Sequence, residues 1–247
     1  MSATLKVHLV RHGEVASHRG DIPVTEAGLA QAEAAGRRLG EDLVLDETVS
    51  FLYAPTRRAL ETATAIRKGV ADFLGPRKTE LRAPAREWAL RNPDLYVAGS
   101  RVEMVSTPEA LASQITAPGL GAGELSGLPF FKEFWAASDR IGYWVCHPDP
   151  PGEDADTVAR RLLAFAVSLL DVPSVRPRRY VCVTHSPVLR AFLRRYLLGE
   201  DPGEPGYVEP IDLIFHEPPT VSFRGRRRDI AVGAGRSRPS EKYPHFG

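Results

Sequence analysis

Apolar residues fall along this chain in short runs that alternate with segments of helical period. Leu5-Lys-Val-His-Leu-Val10 is mostly apolar and ends at a polar cluster. Its length and β-branched content predict a buried strand. Thr25 predicts the N-cap of a helix running to about Leu39, with Leu29, Ala32, Gly36 and Leu39 on one face. Thr48–Tyr53 predicts a second strand, and Pro55 the opening of a helix through about Lys68. Between Glu87 and Pro151 prolines and glycines interrupt the period, and helices are expected only near Pro108–Ile115 and around Pro129–Ala137. Regularity returns at Asp154, where Val158, Leu162, Phe165 and Leu169 mark an amphipathic helix. Tyr180–Thr184 predicts a third strand, followed by Ser186 as N-cap and Pro187 in the first turn of a helix. Ile211–Phe215 and Thr220–Phe223 predict a closing pair of strands.

Alternation of strand and helix implies an α/β fold: a three-layer sandwich with a mostly parallel central sheet flanked by helices. The irregular stretch 88–150 reads as a partly helical insertion over the active site. With 247 residues and no internal repeats, one domain over 1–223 is expected. Residues 224–247, with Arg224, Arg226, Arg227, Arg228, Arg236 and Arg238, read as a basic, flexible, solvated tail. Hydrophobic residues make up 43% and the net charge is +1, so neither nucleic acid nor membrane is expected as a partner. Two cysteines, Cys146 and Cys182, make no disulfide framework. Without a secretory leader pattern or an apolar run of membrane length, a cytoplasmic setting is expected.

Two predicted strands end alike, one in Arg11-His12-Gly13-Glu14 and the other in Thr184-His185-Ser186. In open α/β sheets the ligand crevice lies beyond the carboxyl ends of the strands, so both histidines should face it. The helix after His185 points its amino-terminal dipole there, and the helix after Tyr53 carries Arg57 and Arg58 in its first turn. Two histidines, arginines and a helix terminus describe an oxyanion cage. Arginine forks match phosphate oxygens in pairs. A histidine with one ring nitrogen held as N–H and the other bare can act as nucleophile. His8 is read as a packed residue of the first strand, and His147, His216 and His245 lack partners at metal-ligand spacing.

These segments resemble the histidine phosphatase (phosphoglycerate mutase-like) superfamily, phosphatase branch, which opens with Arg-His-Gly-Glu after its first strand. Pro23-Val-Thr-Glu-Ala-Gly-Leu-Ala-Gln-Ala32 is similar to the family's Pro-Leu-Thr-x-x-Gly-x-x-Gln-Ala. Ala54-Pro-Thr-Arg-Arg-Ala-Leu-Glu-Thr-Ala63 is similar to Ser-Pro-x-x-Arg-Ala-x-x-Thr-Ala, which selects Arg58 over Arg57. Pro151-Gly-Glu-Asp154 resembles the family's turn before a helix, and Val-Thr-His185 its second-histidine strand. The resemblance implies that His12 takes the phosphoryl group, that Arg11, Arg58 and His185 bind its oxygens, and that an acid from the middle of the chain moves the proton. Glu87 stands nearest the family's position for that acid, with Glu80 and Glu103 behind it, although the family's following Trp-Glu-Gly is absent. His18 stands where many relatives carry Asn, and Ser186 where Gly is common; both are taken as substrate-binding candidates.

The expectation is a phosphomonoesterase that hydrolyses a small-molecule phosphate ester through a phosphohistidine on His12, as monomer or homodimer, needing no metal or organic cofactor. A phosphoglycerate-mutase-like phosphotransferase and a weakly active phosphate-binding or interaction domain are the alternatives. The aromatic stretch Phe130, Phe131, Phe134, Trp135, Tyr143 and Trp144 is read as packing of the insertion ahead of a substrate wall.

Overall fold

The computed structural model describes residues 4–17, 20–44, 46–76, 79–104, 107–116 and 119–232. The sheet contains β1 (Leu5–Arg11), β2 (Thr48–Tyr53), β3 (Glu80–Leu81), β4 (Ala85–Arg86), β7 (Arg178–Thr184), β8 (Pro210–Phe215), β9 (Thr220–Phe223) and β10 (Arg226–Asp229). Its order is β10-β9-β8-β1-β7-β2-β3, with β4 also on β2. From β1 to β4 by way of β7 and β2 the strands run parallel, while β8, β9 and β10 add antiparallel pairs at the other edge. β5 (Leu95–Val97) and β6 (Ser100–Val102) form a separate hairpin within the insertion.

Every residue of β7 is buried, as a central parallel strand covered on both faces should be. Val181 shares one wall with Ile66 and Leu39, under α1 (Glu26–Glu41) and α2 (Arg57–Leu74). Arg178, facing the other way, donates to the Leu169 carbonyl at the end of α7 (Ala155–Ser168). Helices thus flank the sheet on both sides. The two helices of the first layer cross with backbones touching. A Cβ on Gly36 would stand 2.1 Å from the Ile66 carbonyl oxygen, and one on Gly69 2.0 Å from that of Glu33.

Local capping explains most element ends and moves two of them from where the sequence put them. Thr25 caps α1 by accepting from the Gly28 amide, as expected. α2 begins after Thr56, whose side chain faces the Ala59 amide, so Pro55 lies outside the helix. α8 (Ser186–Leu193) is entered at His185, which occupies the cap position with extended backbone, and Ser186 is its first helical residue. Ser186 is therefore not the cap.

Among the described residues between the hairpin and α7 lie four short helices, α3 (Pro108–Ala112), α4 (Ala122–Ser126), α5 (Pro129–Ala136) and α6 (Arg140–Cys146). Phe130 sits within 6 Å of the rings of Phe131, Phe134, Tyr143 and His147, and Trp144 is fully buried. The aromatic stretch thus packs α5 on α6. The chain does not leave the fold at Arg224. Arg226–Asp229 pairs antiparallel with β9, and Ile230 is buried. Arginine side chains suit an exposed edge strand, where charge discourages further strand pairing, and their charge alone does not indicate a tail. Arg236, Arg238 and His245 lie outside the described residues. Among the described residues no helix is long and apolar enough to cross a membrane.

Candidate active site

β1 and β7 are neighbours, and their carboxyl ends deliver His12 and His185 to one edge of the sheet. The His12 amide donates to the Thr184 carbonyl at 2.9 Å, and the two rings stand 5.3 Å apart at 62°. Both histidines are almost fully buried. Nδ1 of His12 lies 2.8 Å from the Gly13 carbonyl oxygen. A carbonyl only accepts, so Nδ1 carries the proton and Nε2 of a neutral ring keeps its lone pair.

The loop after His12 is fastened to α2. The Gly13 amide donates to Oγ1 of Thr62 at 2.8 Å, and that hydroxyl donates to the Arg58 carbonyl at 2.7 Å. The first turn of α2 is thereby held against the loop that follows His12. Arg58 is largely enclosed, with Nη1 3.7 Å from Asp21. Burial lowers its pKa from the ordinary arginine value, while the negative charges of Asp21 and Glu103 pull it back up. Arg57, by contrast, is exposed and pairs with Glu61 at 2.7 Å.

Arg11 enters from β1. Its Nη1 donates to the Pro205 carbonyl at 2.9 Å and pairs with Glu204 at 3.0 Å, and its guanidinium lies 4.3 Å over the Tyr207 ring. Tyr207 in turn stands 6.1 Å from the His12 ring. Nε of Arg11, Nε of Arg58 and Oγ of Ser186 are all buried with no hydrogen-bond partner in the protein. Leaving such a group unsatisfied costs about 1–3 kcal/mol. Three of them at one sheet edge, all donors, suit an incoming oxyanion.

Glu87 follows β4 at the same edge. Its amide donates to the Tyr53 carbonyl at 2.9 Å, and its Oε1 accepts from the Ala89 amide at 2.8 Å, opening a short 3-10 turn at Trp88–Leu90. That turn rests on β7, where the Thr184 hydroxyl donates to the Leu90 carbonyl at 2.6 Å. The Cys182 thiol has its pKa pushed up by burial and further by the charge of Glu87, so the carboxylate stands within electrostatic reach of β7. Glu80 belongs instead to the opposite end of β2, beside Thr48. His18 lies outside the described residues.

Sequence reasoning missed Asp21, Glu204 and Tyr207. Asp21, in the loop between β1 and α1, also accepts from the Arg57 amide at 2.9 Å, at the first residue of α2. Glu204 and Tyr207 sit in the irregular segment before β8, almost two hundred residues from Arg11. Only the run Gly203-Glu-Pro-Gly-Tyr207 marked a loop there. Among the described residues no group of three or more His, Cys, Asp or Glu side chains could hold a metal ion.

Residues 7–90, roughly the first third of the chain, match the sequence profile of the Histidine phosphatase superfamily (branch 1). No curated protein sequence matches the chain. The fold is similar to that of the Rv3214 protein of Mycobacterium tuberculosis, at 20% identity and a TM-score of 0.50, over 94% of this chain and 98% of that one. It is similar also to mycobacterial hydrolase 1, at 18% identity and 0.52, over 92% and 97% of the two chains. Mycobacterial hydrolase 2 shares 18% identity at 0.51, over 95% of each. At these identities the likeness is one of fold.

Proposed function

We propose that this chain, which carries the histidine phosphatase signature over residues 7–90, is a phosphomonoesterase that works through a phosphohistidine on His12. The observation that carries the reading is the hydrogen bond from His12 Nδ1 to the Gly13 carbonyl. It favours the Nδ1–H tautomer and so supports Nε2 as the nucleophile, at an edge where the Nε donors of Arg11 and Arg58 lack partners.

In the first step Nε2 of His12 attacks phosphorus in line, and the bond to the ester oxygen breaks. Arg11, Arg58 and His185 hold the oxygens on which charge gathers. The leaving alkoxide takes a proton from an acid, for which Glu87 is the candidate. The same carboxylate then accepts a proton from water, whose oxygen attacks phosphorus and releases phosphate from the ring. The proposed substrate is a small-molecule phosphate ester, and the chemistry requires no metal.

Rapid quench with a labelled substrate tests this. An acid-labile, base-stable phosphoenzyme is expected in the wild type and none in His12→Ala, whose turnover should fall by about three powers of ten or more. Wild-type turnover in His12→Ala would overturn the mechanism.

A further inference from the structure

Among the described residues the buried arginines are matched with acids, with one exception. Arg179 is enclosed with Glu47, its Nε 2.9 Å from Oε1. Arg190 meets Asp139, Asp201 and Glu204, and Arg11 meets Glu204. Arg178, at 9% exposure, has no carboxylate within 4.0 Å among the described residues. Its Nη1 donates to the Leu169 carbonyl at 2.7 Å, while its Nε is buried with no partner. One edge of its fork is therefore unused.

Arg178 borders an open recess of about 280 Å³, a figure that includes the solvent space at its mouth. Thr48 and Ser50 of β2, Tyr180 of β7, Arg82 and Ser174 share its walls. The recess lies where β7 begins, at Arg178, whereas His185 follows the strand's last residue. At about 3.3 Å per residue the two ends stand some 20 Å apart. The nearby acid, Glu80, is engaged by Arg82 at 3.1 Å and by the Thr48 hydroxyl at 3.4 Å. A second guanidinium and several hydroxyls thus surround a buried cation that has no counter-ion of its own. Enclosing a charge without a partner is costly, and proteins meet that cost with a paired acid or a bound ion.

We propose that this recess is a second anion site, independent of the catalytic edge, which takes a small oxyanion of the inorganic phosphate or sulfate class. The anion sits on the unused edge of Arg178, with Arg82 and the Ser50 hydroxyl as further donors. Occupancy stabilises the fold by mass action and does not touch the reacting atoms.

Sulfate titrated calorimetrically into the full-length chain tests the site. The background carries Arg58→Ala, which cripples the anion cage at the other edge. One binding event is expected to survive in that background. Ser174→Asp should weaken it by about tenfold or more, because it brings a carboxylate to the recess wall. Arg178→Gln should abolish it. Ser174 is exposed in the connection that leads to β7, so its variant stays folded whatever Arg178→Gln does. In an otherwise wild-type chain Ser174→Asp should leave aryl phosphate hydrolysis unchanged. Absence of binding in the Arg58→Ala background, or binding that ignores Ser174→Asp, overturns the proposal. Absence of binding together with a loss of thermal stability in Glu80→Gln would identify Glu80 as the internal counter-ion, and overturns it equally. Because the event is recognised by its response to Ser174→Asp, failure of the phosphatase reading would leave this test intact.

Discussion

Arg11 shares one carboxylate with Arg190: Glu204 reaches Arg11 with Oε2 at 3.0 Å and Arg190 with Oε1 at 2.9 Å. Arg190 is fully buried on α8 and is also bound by Asp201 and by Asp139, the residue that caps α6. Arg11 is thus tied through two acids and a second arginine to the helical insertion. Glu204 is a positioning residue in this arrangement. It holds Nη1 of Arg11 and leaves Nε without a partner in the protein, the edge proposed above to meet the oxyanion.

Glu204→Ala should therefore lower kcat/KM about tenfold, the value of one charged hydrogen bond. Glu204→Gln, which keeps much of the shape and removes the charge, should instead tighten inhibition by inorganic phosphate, since less negative charge lies behind the cage. Steady-state kinetics with phosphate as inhibitor separates the two. Identical, wild-type-like behaviour of both variants would show that Arg11 does not depend on Glu204.

Arg58 and Arg57 are adjacent in sequence and opposite in exposure. Arg58→Lys is expected to reduce kcat/KM about tenfold to a hundredfold, because an ammonium cannot reproduce a two-pronged contact. Arg57→Lys should stay within about twofold, since its partner is the exposed Glu61. The same kinetic assay reads both, and a reversed order would put the wrong arginine in the cage.

How much of this was legible in the sequence depends on the distance over which each feature is decided. Capping is local, so Thr25 announced α1 to within a residue of its start. The alike endings of β1 and β7 likewise announced the edge that carries His12 and His185. The start of α2 was misjudged because Pro55 and Thr56 both favour a helix opening, and only the contact of Thr56 with the Ala59 amide decides between them. Arg226–Asp229 reads as solvated charge in one dimension and becomes a strand only because β9 offers an edge. Glu204 and Tyr207 carry no local signature at all. Their role comes from long-range packing against Arg11.

The α1–α2 crossing should tolerate no side chain. Gly36→Ala places a methyl group 2.1 Å from a carbonyl oxygen of the facing helix backbone, which must move. A loss of about 1–3 kcal/mol is expected in urea unfolding, with the catalytic edge unaltered. Unchanged stability would mean that the helices are not in backbone contact.

Acid should loosen the tie between α6 and α8. Hydrogen bonding from Arg190, with the Gly142 amide helping, holds the Asp139 pKa below the usual aspartate value. A carboxyl depressed in the folded state contributes stability above its unfolded pKa and loses it as pH falls through the folded one, here below about pH 4. Half of the Asp139 side chain is exposed, so the contribution is modest. Asparagine still caps a helix. Asp139→Asn should therefore be less stable at neutral pH, with a flatter decline toward acid in thermal unfolding. A decline as steep as that of the wild type would place the titrating group elsewhere.

The proton donor is the sharpest test of the mechanism, because two acids approach the site from different sides. Glu87 follows β4, with β2 between it and the strand that delivers His185, and the turn it opens touches that strand at Thr184. Glu103 follows the β5–β6 hairpin, and Arg58 feels its charge. If Glu87 protonates the leaving group, Glu87→Gln should slow alkyl phosphate esters by about a hundredfold or more, within the usual range for a general acid. Aryl phosphates with activated leaving groups should hardly respond, because their departing oxygen needs little protonation in the transition state. The variant should still form the phosphoenzyme from the activated ester. Release of phosphate from that intermediate should then become the slow step, since the same carboxylate activates water. An accumulating phosphohistidine, seen by rapid quench, is the expected signature. Equal slowing of both ester classes by Glu87→Gln would remove Glu87 from the role. If Glu103→Gln then showed the selective loss, the acid would belong to the insertion and not to the sheet edge.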